Sequence, residues 1–213
     1  MKILTKKTLK IIIFVLLLNV LVIFLNVKSG IGKGDMMLRF REREAVTFLS
    51  ALMLGLTSLT SLFIYMIKKK AMVLSRGVKF WLFSSLGFFY LCMDEYFMAH
   101  EGMDEIAGSL LLGKDIKDLN LDGLVIGFFG LLALGVCFYF RKELLRYKVI
   151  FPFLFLGAFG LCGTVAFHML ERIDIVFEVI EESLKVIGVS FFFTSYLAAL
   201  SFTLEKTLIS YQE

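Results

Sequence analysis

Six stretches of the chain are apolar almost without interruption, and short polar segments separate them. They run over Leu9–Val27, Ala45–Ile67, Val78–Met98, Gly123–Phe140, Val149–Leu170 and Leu184–Leu204. Each is long enough to cross about 30 Å of hydrocarbon as an α-helix, which takes roughly 20 residues. The pattern predicts an all-α integral membrane bundle of about six transmembrane helices. No low-complexity linker or internal repeat interrupts it, so residues 1–213 read as a single polytopic membrane domain.

Two further segments modify this outline. In "ERIDIVFEVIEESLK", Ile173, Val176, Phe177 and Ile180 recur at helical spacing while Asp174, Glu178 and Glu181 occupy another face. That is the pattern of an amphipathic helix, here expected to lie over the outer opening and lead into the sixth span. "IAGSLLLG", between the third and fourth spans, is too short to cross and is expected to dip into the interface.

Composition excludes an ordinary soluble domain. The chain is 59% hydrophobic and 15% aromatic with one proline, and its mean hydropathy is +0.84. The net charge of +4 then bears on orientation, and no nucleic-acid partner is expected. The lipid bilayer of the plasma or inner membrane is the expected surroundings. Lys2, Lys6, Lys7 and Lys10 precede the first span like the start of a signal peptide, but that span is longer than a signal core and "NVKSGIG" lacks a small-x-small cleavage site, which favours a retained helix.

Placing both termini in the cytoplasm puts 14 of the 23 lysines and arginines inside, the Lys68–Lys70 run among them. Five of the other nine crowd the first outer loop, against the trend. With this orientation 16 of the 19 acidic residues, and both histidines, fall outside or at outer helix ends. The outer face is therefore where polar chemistry concentrates.

Three clusters arrive there from different spans. The third span ends in Asp94, Glu95, His100 and Glu101, the fifth in His168 and Glu171, and the sixth is reached through Glu178, Glu181 and Glu182. Carboxylates beside hydrocarbon are costly and usually persist because something uses them. At about 100° per residue Asp94 and Glu101 share a face, with Glu95 and His100 to either side. His168 and Glu171 also share a face, at i and i+3.

A divalent metal, Zn, Mn or Fe, is the sharpest reading of this donor set, with His100, Glu101, His168, Glu171, Glu181 and Glu182 as ligands. Asp94 and Glu95 would then be the catalytic carboxylates of a hydrolysis at a lipid or lipid-linked substrate. No HExxH is present, and "HMLE" reverses the Glu-x-x-His order of di-iron bundles. The plainer reading is solvated charge at helix ends, where Glu is favoured by the helix dipole.

Elsewhere the chemistry is sparse. Cys92, Cys137 and Cys162 sit in separate spans without a CxxC and read as buried thiols. Gly55, Ser58 and Ser61, and Gly157, Gly160 and Gly163, have the small-residue spacing of close helix packing. Trp81 reads as an interfacial anchor, and Lys68–Lys70 as a cytosolic stop signal in reach of anionic lipid.

"LGFFYLCMDEYFMAHE", "LFLGAFGLCGTVAFHML" and "EVIEESLKVIGVSFFFTSYL" resemble a group of prokaryotic multipass membrane proteins of uncharacterised function. The resemblance rests on an Asp-Glu then His-Glu element and a Glu-Glu-x-Leu-x-x-x-Gly element, and marks Asp94, Glu95, His100, Glu101, Glu181, Glu182 and Gly188. His168 stands where it implies an acidic residue, and Lys185 where another Glu is common. It implies no activity. The likeness to ceramidase and progestin-receptor-like hydrolases stops at the missing seventh span and late His-x-x-x-His pair.

Three functions remain open on the sequence: a metal-binding membrane protein acting on lipid, a cation or proton pathway through Asp94, Glu95 and Glu181, and a structural subunit whose acidic outer face docks a basic extracytoplasmic partner. Whether the protein is an enzyme stays undecided at this level.

Overall fold

The computed structural model describes residues 6–33, 45–71, 77–97, 122–168 and 175–210. Among these the chain is helical except at short turns, with no strand. Six long helices follow in order: α1 (Lys6–Lys33), α2 (Ala45–Ala71), α3 (Val78–Phe97), α4 (Asp122–Tyr139), α5 (Phe151–His168) and α6 (Ile175–Ser210). A helical turn, Arg141–Leu144, and a 3₁₀ turn, Lys148–Ile150, join α4 to α5. The all-α class expected from the apolar runs is what the chain adopts.

Four of these helices, α1, α2, α5 and α6, are long and apolar enough to cross a membrane, α5 counted with the 3₁₀ turn before it. In α3, Lys79, Asp94 and Glu95 and two serines dilute the apolar run, and the described side chains of α4 form a shorter apolar helix, Phe128–Tyr139. The amphipathic segment before the sixth span does not form a separate element over the bundle. From Ile175 on it is the first part of α6, a continuous helix of 36 residues and so about 54 Å long.

Helix α6 is the mast of the assembly, with α2 and α5 packed most extensively against it and α1 more lightly, while α3 packs against α2. The sequence explains the closeness. A Cβ on Gly160 would lie 2.9 Å from Gly188 Cα, and one on Gly188 would lie 3.1 Å from Gly157 O, so α5 and α6 meet backbone to backbone. Between α2 and α3, Ser58 Oγ donates to Ser85 O at 2.8 Å and Ser61 Oγ to Trp81 O at 2.7 Å. The small-residue stripes expected to pack helices do so. On the light side, Thr8 and Ser201 hydroxyls meet at 2.8 Å between α1 and α6.

Two apolar cores divide the bundle along its length. One gathers Val46, Leu49, Met53, Val186, Val189 and Phe193 toward the start of α2 and of α6. The other gathers Ile64, Phe80, Trp81, Phe140, Tyr147 and Tyr196 toward the opposite end. Each core borders a buried charged cluster.

Candidate functional site

The first cluster is built from α2, α3 and α6. Glu95 lies in the last turn of α3 after an apolar run, and Glu181, Glu182 and Lys185 lie in the first turns of α6. On α6, residues three apart share a face, which puts the Lys185 ammonium against Glu182. Lys185 Nζ lies 2.7 Å from Glu182 Oε1 and 3.0 Å from Glu95 Oε1. Ser50, from α2, adds its hydroxyl to the same Glu95 oxygen while also facing Thr47 O at 2.8 Å.

Burial makes this arrangement consequential. Glu181 and Glu182 are each only 8% exposed, which excludes the solvated-charge reading for both. The Lys185 and Glu95 side chains are 20% and 15% exposed. Glu182 Oε2 is buried and, among the described atoms, accepts no hydrogen bond, in contrast to Oε1. Buried polar atoms nearly always find partners, so this oxygen is a vacant acceptor within a charged cluster.

Of the residues expected at a shared site, the structure brings together Glu95 from the third span and Glu181 and Glu182 from the sixth. Asp94 is half-buried one residue earlier, but the ion pairs that Lys185 makes are with Glu95 and Glu182. His100, Glu101 and Glu171 lie outside the described residues, and so does the side chain of His168, the last residue of α5. Among the described residues, no three His, Cys, Asp or Glu side chains are grouped so as to hold a metal ion.

Sequence reasoning missed Lys185 as a member of the site. It stood out only as a basic residue where an acidic one was expected, and its role depends on α3 arriving beside α6.

The second cluster was missed entirely. Glu143, in the helical turn after α4, is 2% exposed and paired with Lys68 of α2. Trp81 Nε1 donates to Glu143 Oε1 at 3.0 Å, and Arg146 reaches Oε2 at 3.1 Å. Lys68 also donates to Tyr147 Oη at 3.0 Å, which meets Thr203 Oγ1 at 3.1 Å. Gly77 backs the carboxylate so closely that a Cβ there would lie 2.6 Å from Glu143 Oε2.

This arrangement corrects two readings of the sequence. Lys68 is buried where reach to lipid headgroups was expected, and Trp81 is buried where an interfacial anchor was expected; both surround one carboxylate. Burial alone would push the Glu143 carboxyl up, yet hydrogen bonds from Lys68 and Trp81, with the charges of Lys68 and Arg146, hold it below the usual carboxylate range.

The two clusters sit at opposite ends of the bundle. Glu182 and Thr203 are both on α6, and 21 residues of helix separate them by about 30 Å. Between them the interior carries buried hydroxyls, among them Ser58, Ser61, Ser85, Ser190 and Thr194.

Residues 10–200 match a family described as a domain of unknown function, DUF8692. The chain belongs to that family. The match takes in both clusters save Thr203, and all six helices at least in part. No curated protein and no solved structure matches the chain.

Proposed function

We propose that the protein is a multipass membrane protein whose Glu95–Lys185–Glu182 cluster binds and passes on protons. In this reading all six helices cross, with both termini cytoplasmic as the lysine and arginine distribution favours. The observation that carries it is the charge count around Lys185. Among the described residues, buried Glu182 and partly buried Glu95 share the Lys185 ammonium, which leaves one excess negative charge between the two and an unused acceptor on Glu182 Oε2. A proton balances that charge and fills that acceptor. Buried ionisable groups in a spanning bundle mark ion pathways and proton relays.

The interior hydroxyls and the Glu143 cluster support a path with a second end. A hydroxyl both donates and accepts, so it can hand on a proton that a methyl cannot. Ser58 and Ser85 hydroxyls, 3.3 Å apart across α2 and α3, form one such contact. The metal reading keeps His100, Glu101, His168 and Glu171 as its donors. It gains no support from Glu95 and Glu182, since the Lys185 ammonium already stands between their carboxylates.

Proteoliposomes with an imposed potassium diffusion potential and an internal pH dye test the proposal. Proton uptake above protein-free vesicles is expected, lost in Glu182→Gln and unchanged by chelator. No uptake would overturn the proton reading, and uptake abolished by chelator would return the metal reading.

A further inference from the structure

Helices α3 and α4 run antiparallel, with Tyr90 against Phe129 at 4.9 Å between ring centres and Phe83 against Phe140 at 5.9 Å. They do not close on each other along their whole length. A groove of about 670 Å³ remains between them, lined by Lys79, Phe83, Leu132, Gly135, Val136, Tyr139 and Phe140. That is within the usual size range for a small-molecule site, roughly 300–1,000 Å³.

The groove is amphiphilic along its axis. Lys79 belongs to the first turn of α3, Tyr139 ends α4 and Phe140 follows it, so these lie at one mouth. Phe83 and Leu132 lie about one to two turns further in, and both are more than half exposed. Among the described lining residues Lys79 is the one charged side chain, and it is itself exposed. Arg141 and Lys142, also exposed, follow Phe140 directly and add positive charge at the same mouth. Gly135 opens the wall, because a Cβ there would meet nothing within 4 Å.

A basic mouth above an aromatic and aliphatic groove matches a molecule with an anionic head and an apolar tail. Basic pockets between spanning helices bind acidic phospholipid headgroups in this way. We propose that this groove holds an acyl chain of an anionic glycerophospholipid whose phosphate is bound at Lys79. The site is separate from both buried clusters, and its occupancy does not depend on proton movement.

The test is native mass spectrometry of the full chain in mild detergent, titrated with dimyristoyl phosphatidylglycerol or dimyristoyl phosphatidylcholine. The wild type should retain the phosphatidylglycerol adduct several-fold more strongly. Lys79→Glu should abolish that preference, whereas Lys70→Glu, the same charge change at an exposed lysine outside the lining, should keep it. Gly135→Leu should reduce the adduct with the basic mouth intact, since the open wall accepts the side chain. Equal retention of the two lipids would overturn the proposal. So would a Lys79→Glu protein that behaves like Lys70→Glu, or an adduct undiminished in Gly135→Leu.

Discussion

Lys185 Nζ of α6 stands 3.0 Å from Glu95 Oε1 of α3, and this ion pair joins two helices that come from distant parts of the chain. Glu182 completes the grouping at 2.7 Å. Removing the ammonium should therefore do more than delete one contact. It leaves two carboxylates facing each other with little water to screen them.

Lys185→Met should lower stability by roughly 3 kcal/mol, the order of loss when one partner of a buried pair is removed. Combining it with Glu95→Gln and Glu182→Gln should recover much of that loss, because neutral amides need no counter-charge. Thermal unfolding in detergent, followed by helicity, checks both. A triple variant as unstable as the single one would show that packing, not charge, fixes Lys185.

At the other end, Glu143 should govern acid stability. Its folded carboxyl titrates below the ordinary value of 4.5, so the folded state holds its proton less tightly than the unfolded state does. The stabilisation is then fully present above that ordinary value and is lost as pH falls through the lower folded value. Unfolding midpoints measured from neutral pH down to about pH 3 should drop in that window for the wild type. Glu143→Gln should start lower and lose less of its midpoint over the same range. Equal slopes would place the acid sensitivity elsewhere.

Gly188→Val should separate α5 from α6, since even a Cβ at Gly188 would lie 3.1 Å from Gly157 O and 3.2 Å from Leu161 N. Overpacking of this kind usually costs about 1–3 kcal/mol. Gly130→Ala, where the added atom meets nothing within 4 Å, should leave stability unchanged. Comparing the two midpoints separates close helix contact from a general intolerance of glycine replacement.

Orientation is open to direct chemistry. In a cysteine-depleted background, Leu145→Cys places a thiol at an exposed position between α4 and α5. It should resist a membrane-impermeant maleimide added outside intact cells and react once the cells are opened. Strong labelling from outside would invert the topology and bring Glu143, not Glu182, to the outer face.

These residues show what the sequence makes legible. Ala45 and Val78, where apolar runs begin after polar segments, are also the first residues of α2 and α3, because the demand for about 20 apolar residues is written locally. Glu95 drew notice for the same reason, as a carboxylate ending an apolar helix. Lys68 and Trp81 drew notice only for other roles and Glu143 for none, although the three form a tight buried cluster. A lysine or tryptophan at a helix end looks the same in sequence whether it faces headgroups or a carboxylate about 60 to 75 residues away. Only the placement of the turn after α4 tells the two apart. Ser50 was hidden likewise, since a lone serine in an apolar helix carries no sign of its partner.

Proton uptake by Glu95 and Glu182, around one ammonium, would leave a protonated carboxyl inside the bundle. Infrared difference spectra between mildly acidic and alkaline pH, recorded in reconstituted membranes, read protonated carboxyl groups directly. The wild type should show a protonated-carboxyl band that persists near neutral pH, and the Glu95→Gln/Glu182→Gln double variant should lack it. An identical band in the double variant, or none in the wild type, would show that Glu95 and Glu182 hold no such proton.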